Sequence, residues 1–271
     1  MTTIVITGCS TGIGLETATY LKNKGITVFP TARKEEDVEI LKSLGFSNAM
    51  RLDVTNPQQI TEVIDSVLML EKKIDVWFNN AGFGQPGMIE DIPTDKLKEQ
   101  FDTNVFGLHE CTRQILPIMR KQGYGKIIQH SSVLGIISLA GRGAYNASKY
   151  AIEGLTDTLR LELQDTSIYP ILLNTGPITS HFRINAMQKL RDNIDIKNSR
   201  FSDKYTKSLN ADKSKVPFNE EADAVAKVVY NIILDDNPKP RYYITKATYI
   251  LGYFKHILST SLLDKVLMKI G

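Results

Sequence analysis

Short β-branched and apolar runs alternate with stretches of helical periodicity along most of the chain. Residues 3 to 7 read as a buried strand, followed by a helical pattern through Leu15, Ala18, Tyr20 and Leu21 that Gly25 ends. Thr27 to Ala32 is a second strand with Arg33 at its exit, and residues 48 to 54 read as a third. A helix opens near Pro57, and Ile74 to Phe78 is the fourth strand. The periodicity predicts a long helix over 97–122, with Phe101, Val105, Leu108, Ile115 and Met119 on its apolar side. Lys126 to His130 is a fifth strand ending in Ser131 and Ser132, and a helix runs from about Tyr145 through Leu155, Leu159 and Leu163. Tyr169 to Asn174 is the sixth strand, a helix covers about 220–235, and Arg241 to Ile244 is the last strand. Alternation of this kind predicts an α/β fold on a parallel sheet.

Two stretches break the rhythm. Residues 178–217 are polar, rich in Lys and Asn, and carry Phe182, Ile184 and Met187. At this point in the chain they read either as a lid over a ligand site at the sheet's C-terminal edge or as a disordered surface loop. The tail, 247–271, has apolar pairs at 249/250, 253/254 and 257/258, resuming at 262/263 and 266/267 after Ser259-Thr260-Ser261. This spacing predicts two short amphipathic helices, with Ser261 and Asp264 as a capping box. Packing as extra core and pocket wall ranks first for them. Peripheral contact with a membrane, through Lys246, Lys255, Lys265 and Lys269, ranks second.

Composition changes this picture little. The 271 residues are 42% hydrophobic and 23% charged, ordinary values for a globular chain with a full core. A net charge of +3 is too small to argue for nucleic acid. Two cysteines, Cys9 and Cys111, make no disulfide framework and fit a reducing cytoplasm. The strand at Ile4-Val5-Ile6-Thr7 leaves no room for a signal peptide, and no charge-free apolar run of about 18 residues is present to span a membrane.

Candidate chemistry gathers at the strand ends. Tyr145 and Lys149 stand one helical turn apart on one face. An ammonium near a phenol favours the phenolate, so the pair predicts a lowered Tyr145 pKa and a phenol suited to proton transfer at a carbonyl or alcohol oxygen. Ser132 ends the preceding strand thirteen positions earlier. Gly8, Gly12 and Gly14 lie between the first strand and its helix, where close backbone approach and free helix N–H groups suit a pyrophosphate. The exit of the second strand carries Arg33 and Lys34 and no carboxylate, which favours NADP over NAD. Asp53 either accepts from an adenine amine or caps the next helix. Asn79-Asn80-Ala81-Gly82 can brace a cofactor from below, and Asn104, a poor helix-interior residue, has a local hydrogen-bonding reason to be where it is.

Together the Thr7-Gly8-x-x-x-Gly12-x-Gly14 turn, Asn79-Asn80-Ala81-Gly82, Asn104, Ser132, Tyr145 and Lys149 resemble the short-chain dehydrogenase/reductase family over about residues 1–182. The resemblance implies a single three-layer Rossmann-type domain over 1–271, with about seven parallel strands in the order 3-2-1-4-5-6-7. It implies a catalytic tetrad of Asn104, Ser132, Tyr145 and Lys149, in which Asn104 holds a water. It also implies an NADP(H) site formed by Gly8, Ser10, Thr11, Gly12, Ile13, Gly14, Arg33, Lys34, Asp53, Val54, Asn80, Ala81, Gly82, Gly176, Ile178 and Ser180, with Tyr145 and Lys149. Where the family has Pro-Gly and then a Thr on the nicotinamide, this chain has Thr175-Gly176-Pro177-Ile178-Thr179-Ser180, so either Ser180 or Thr179 supplies the hydroxyl. That departure, Pro238 to Tyr243 and Val28 to Arg33 are similar to the 17β-hydroxysteroid and retinol dehydrogenase branch. The expected function is carbonyl–alcohol interconversion on a lipophilic substrate, with Phe83, Leu134, Leu139 and Phe182 lining the pocket and no metal. Acyl-dihydroxyacetone-phosphate reduction and a non-catalytic NADP-binding sensor are the alternatives. A homodimer or homotetramer is implied, through the helices at 97–122 and 145–164.

Overall fold

The computed structural model describes residues 1–210 and 217–270. Strands β1 (Thr3–Ile6), β2 (Thr27–Ala32), β3 (Met50–Arg51), β4 (Val76–Asn79), β5 (Tyr124–Ser132), β6 (Ser167–Thr175) and β7 (Arg241–Ile244) form one sheet. All pairings are parallel, in the order β3-β2-β1-β4-β5-β6-β7, as the resemblance implies. The helices are α1 (Gly12–Asn23), α2 (Glu35–Ser43), α3 (Pro57–Glu71), α4 (Thr94–Phe101), α5 (Leu108–Gln122), α6 (Gly143–Glu162), α7 (Phe182–Asn193), α8 (Ser202–Asn210), α9 (Ala222–Leu234), α10 (Lys246–Ile257) and α11 (Thr260–Ile270).

Successive strand residues face opposite ways, and both faces are covered. Ile4, Ile6, Phe78, Ile128 and Leu173 pack with Ala18 and Leu21 of α1 and Val229 and Ile232 of α9. Val5, Trp77 and Ile127 face the other way, onto Ile60, Val63 and Ile64 of α3 and Cys111, Ile115 and Met119 of α5. With one layer of helices on each face, all the strand C-termini open at one edge, where α/β proteins place their sites.

Several expectations need correction. The third strand shrinks from 48–54 to two residues, since only Thr31↔Met50 and Ala32↔Arg51 pair. The helix expected over 97–122 starts at Thr94 and is interrupted by one turn of π-helix at Asp102–Gly107, the turn that carries Asn104. Residues 178–217 hold two helices, and Met187, Leu190, Ile194 and Tyr205 make a small core with Met88 and Ile92. Residues 211–216 of the expected lid lie outside the described residues.

The tail forms its two helices, but the apolar pairs do not mark one inward face. Leu251, Phe254 and Leu258 turn inward with Leu263 and Leu267, onto Val133, Ile136 and Ile137 just after β5. Tyr249, Tyr253 and Ile257 stay exposed. Helix α11 begins at Thr260, one residue before Ser261, so Ser259 holds the capping position. The Ser259 carbonyl accepts from Leu262 N and Leu263 N, in place of the expected Ser261–Asp264 box. No helix among the described residues is long and apolar enough to cross a membrane.

Burial of Leu263 and Leu267 predicts that the tail stabilises the fold without lipid. Leu263→Ala should cost about 2–5 kcal/mol, the usual range for a buried leucine. Truncation after Ile244 should lower the melting temperature by more than that single change, as checked by calorimetry in detergent-free buffer.

Candidate active site

The site assembles from the ends of β1, β4 and β5 and the start of α6. The turn after β1 needs glycine for two separate reasons. Gly8 sits at φ +72°, and a Cβ there would lie 2.8 Å from the Ala81 Cα. At Gly14 a Cβ would fall on the Gly8 carbonyl and the Asn80 amide. The N-terminus of α1 therefore lies open to a ligand: its first turn holds no acidic residue, and the Thr11 side chain makes no capping bond. Free N–H groups and no competing carboxylate fit a dinucleotide phosphate. Ser180 lies directly over this turn, its Cβ 3.1 Å from where a Gly12 Cβ would be. Thr179 faces away, donating to Glu221 Oε1 at 2.9 Å and accepting from Asn219 Nδ2 at 2.6 Å. Of the two hydroxyls left open by the sequence, the Ser180 one is at the cleft.

Not every expected cofactor residue presents its side chain to the cleft. Asn80 Nδ2 donates to the carbonyls of Thr7 and Gly8, each at 2.9 Å, so its amide braces the glycine turn. Ala81 N donates to Thr7 Oγ1 at 2.9 Å in the same brace. Ile178 joins the apolar core, and Gly176 leaves room for the hydroxyls of Thr245 and Thr248. Asp53 Oδ1 accepts from Thr55 N and Thr55 Oγ1, while Asn56 caps α3; the helix-cap alternative for Asp53 is thus replaced by a local turn. Arg33, Asp53, Val54, Phe83 and Lys189 line a cleft of about 650 Å³ beside β2 and β3. Arg33 and Lys34 are exposed, and the Glu35, Glu36 and Asp37 carboxylates that follow suit the N-terminal dipole of α2.

At the centre, Tyr145 lies under an aromatic cover. The Phe182 ring meets the Tyr145 ring edge-on at 5.4 Å between centroids, and Gly84 packs beneath both. Lys149 Nζ is 5.5 Å from the Tyr145 ring centroid and donates to the His130 carbonyl at 2.5 Å. Ser132 Oγ donates to the Thr175 carbonyl at 3.3 Å and accepts from Leu134 N at 3.1 Å. Asn104 is buried: its Nδ2 donates to the Phe83 carbonyl at 3.0 Å and to Ser148 Oγ at 3.2 Å, and its Oδ1 accepts from Phe83 N. The amide is committed to protein partners, so it ties the Phe83 strand exit to α6 and has no donor left for a water. Leu134 and Leu139 lie partly buried against the tail helices.

The electrostatics reverse one expectation. Burial pushes the Tyr145 hydroxyl up to about 12, against a smaller downward pull from Ser132. Lys149 is itself desolvated and pushed down to about 8, with Glu153 pulling the other way. Its ammonium is aimed at the His130 carbonyl, and loss of solvent outweighs the helical-spacing effect. Without ligand, Tyr145 is a neutral phenol, the form that gives up a proton.

Two residues went unread in the sequence. His130 is partly buried and held between Asn80 Oδ1 at 3.0 Å and Thr175 Oγ1 at 3.1 Å, and desolvation with the nearby Lys149 charge lowers it to about 3. Glu153 lies one turn beyond Lys149, and its spacing from Lys149 was the available signal.

A parallel sheet with a glycine turn after β1, and with Tyr145 and Lys149 of α6 against the end of β5, is the architecture of a dinucleotide-binding oxidoreductase. Residues 2–191 match the family of short chain dehydrogenases, and the chain belongs to that family. The oxidoreductase YbbO of Escherichia coli K12 is 37% identical over 265 residues, covering 97% of this chain and 93% of that one. Human retinol dehydrogenase 8 is 32% identical over 189 residues, covering 66% and 60%. A short-chain dehydrogenase structure from Streptomyces avermitilis superposes with a TM-score of 0.76 at 24% identity, over 99% of this chain and 94% of that one.

His130 sets a pH dependence. Its folded pKa of about 3 lies below its ordinary 6.5, so the unfolded chain takes up the proton first as pH falls. This contribution to stability is complete above about 6.5 and is lost progressively toward 3. Urea melts at pH 7.0 and 5.0 should show stability falling with pH, and His130→Gln should flatten that slope even though it lowers stability at both pH values.

Proposed function

We propose that this oxidoreductase is NADP(H)-dependent and interconverts a carbonyl and an alcohol on a small lipophilic substrate. The observation that carries the reading is the neutral Tyr145 hydroxyl at the cleft, with the Lys149 ammonium one turn along α6 and Ser132 at the end of β5. In reduction, Tyr145 gives its proton to the carbonyl oxygen, and Ser132 holds that oxygen in line. Lys149 stabilises the phenolate left behind. The nicotinamide supplies the hydride when bound, and the protein supplies orientation and a dry, polar setting. The glycine turn, the open N-terminus of α1 and Ser180 above it would hold the dinucleotide.

The preference for NADP rests on Arg33, which lines the cleft where the adenosine end would lie, with Ala32 in place of an acidic residue. The lipophilic class rests on Phe182 beside Tyr145 and on the similarity to a retinol dehydrogenase. Helices α7 and α8 act as the substrate lid, with Phe182 at its edge over Tyr145. Exposed Phe106 on the π-turn before α5, and Leu155 on α6, support a homo-oligomer, and two buried free thiols support a cytoplasmic setting.

Tyr145→Phe should abolish NADPH oxidation with ketones and aldehydes while fluorescence titration still shows NADPH bound. Turnover near the parent's level would end this reading and leave a dinucleotide sensor. Arg33→Asp should invert the kcat/KM ranking of NADPH and NADH, losing on the order of 1.5–3 kcal/mol of a charged hydrogen bond. A parent that already prefers NADH would refute the cofactor assignment.

A further inference from the structure

Helix α6 carries a polar stripe that continues below the candidate centre. Tyr145, Lys149, Glu153 and Asp157 recur every four residues, on one face. Glu153 is buried, and buried carboxylates need partners. It has three. Ser131 donates its hydroxyl to Glu153 Oε1, Asn174 Nδ2 donates to the same oxygen at 2.6 Å, and Arg241 on β7 donates to Oε2. The second arm of Arg241 reaches Asp157 Oδ2 at 3.1 Å. Asn174 Nδ2 also lies 3.3 Å from the Ser132 carbonyl.

Three bonds of this network end on the last three residues of β5. The His130 carbonyl is held by Lys149, the Ser131 hydroxyl by Glu153, and the Ser132 carbonyl by Asn174, itself bound to Glu153. We propose that Glu153, clamped by Arg241, is the positioning residue of this centre: it locks the end of β5, and hence Ser132, in register with Tyr145 and Lys149 on α6. The inference rests on the reading of Tyr145, Lys149 and Ser132 given above.

Charge adds a second role to the first. The groups facing Lys149 are Tyr145 and Glu153 on its own helix and His130 on β5; Arg241 on β7 and Asp157 lie behind Glu153. His130 is neutral at working pH, and the carboxyl that acts on Lys149 is Glu153, raised by its own burial and drawn back down by Ser131, Arg241 and Asn174. Loss of that charge makes the ammonium harder to keep, and Arg241, left with Asp157 as its one carboxylate, pushes in the same direction.

Two substitutions separate register from charge. Glu153→Gln keeps the length and an acceptor oxygen but removes the charge. Glu153→Asp keeps the charge but is one methylene too short to hold Ser131, Asn174 and Arg241 together. Lysine titration is followed by NMR on 13C-lysine protein, with Lys149 assigned through Lys149→Met, and kcat/KM is measured against pH. In Glu153→Gln, Lys149 should titrate about one unit lower, and the alkaline limb of the rate profile should move with it. In Glu153→Asp, Lys149 should titrate as in the parent while kcat falls roughly tenfold or more, as misplacement of reacting groups produces. Arg241→Lys, which keeps the cation and loses one arm, should show a smaller loss of kcat. If Glu153→Gln leaves Lys149 unmoved and Glu153→Asp leaves kcat intact, with only melting temperatures reduced, the network is packing and the inference is wrong. Should the parent reduce no carbonyl at all, the function reading fails, and the Lys149 titration still decides the charge coupling.

Discussion

A buried ammonium is the constraint around which the rest of the site is arranged. Lys149 is almost fully removed from water, and an isolated cation in that position is costly to the fold. Its bond to the His130 carbonyl supplies one partner, and Glu153 supplies the compensating charge. The His130 bond requires the end of β5 to lie against α6 at one register, and the bond from Ser131 to Glu153 holds the same register. Tyr145, one turn earlier on the same helix, is thereby aimed at the strand end that carries Ser132. The apolar cover of Phe182 deepens the burial that keeps the Tyr145 phenol protonated.

The opposite wall is made by backbone in place of charge. Gly8 packs on Ala81 so closely that no side chain fits, and Asn80 spends its amide on the Thr7 and Gly8 carbonyls. The turn after β1 is therefore bolted to the end of β4, and the N-terminus of α1 is presented as a rigid set of donors. The Asn80 Oδ1 bond to His130 continues this brace to β5. A single chain of hydrogen bonds links the glycine turn after β1, through Asn80 and His130, to Lys149.

Features written in local periodicity were legible in the sequence. The glycine turn, the one-turn spacing of Tyr145 and Lys149, and the alternation of strands and helices all follow from neighbours in the chain. What failed depended on distance or burial. The direction of the Tyr145 shift needed the depth of the site, which no spacing reveals. The pairing of Glu153 with Arg241 spans 88 positions and two strands. Helix α7 was hidden by its polar composition, although Ala186, Met187 and Leu190 do fall on one helical face. The two-residue β3 is too short for any periodicity, and the π-turn at Asn104 leaves the apolar pattern of its helix almost unchanged. The residues 211–216 of the expected lid lie outside the described residues.

The two sides of the cleft at Tyr145 differ in how firmly they are held. On one side, Leu263 and Leu267 of α11 are buried against Val133, Ile136 and Ile137, in a cluster continuous with the segment that follows Ser132. Moving that wall would expose core. On the other side, Phe182 begins α7, is 38% exposed, and touches the site through one ring edge and the face of Gly84. The α7–α8 unit has its own small core on Met88 and Ile92, separate from the two main layers, and it is tied to the loop after β4 by the Tyr205 and Ser199 hydroxyls on Asp91. Of the two sides, the tail is fixed by burial into the segment that follows Ser132, and the Phe182 side is held by fewer buried side chains.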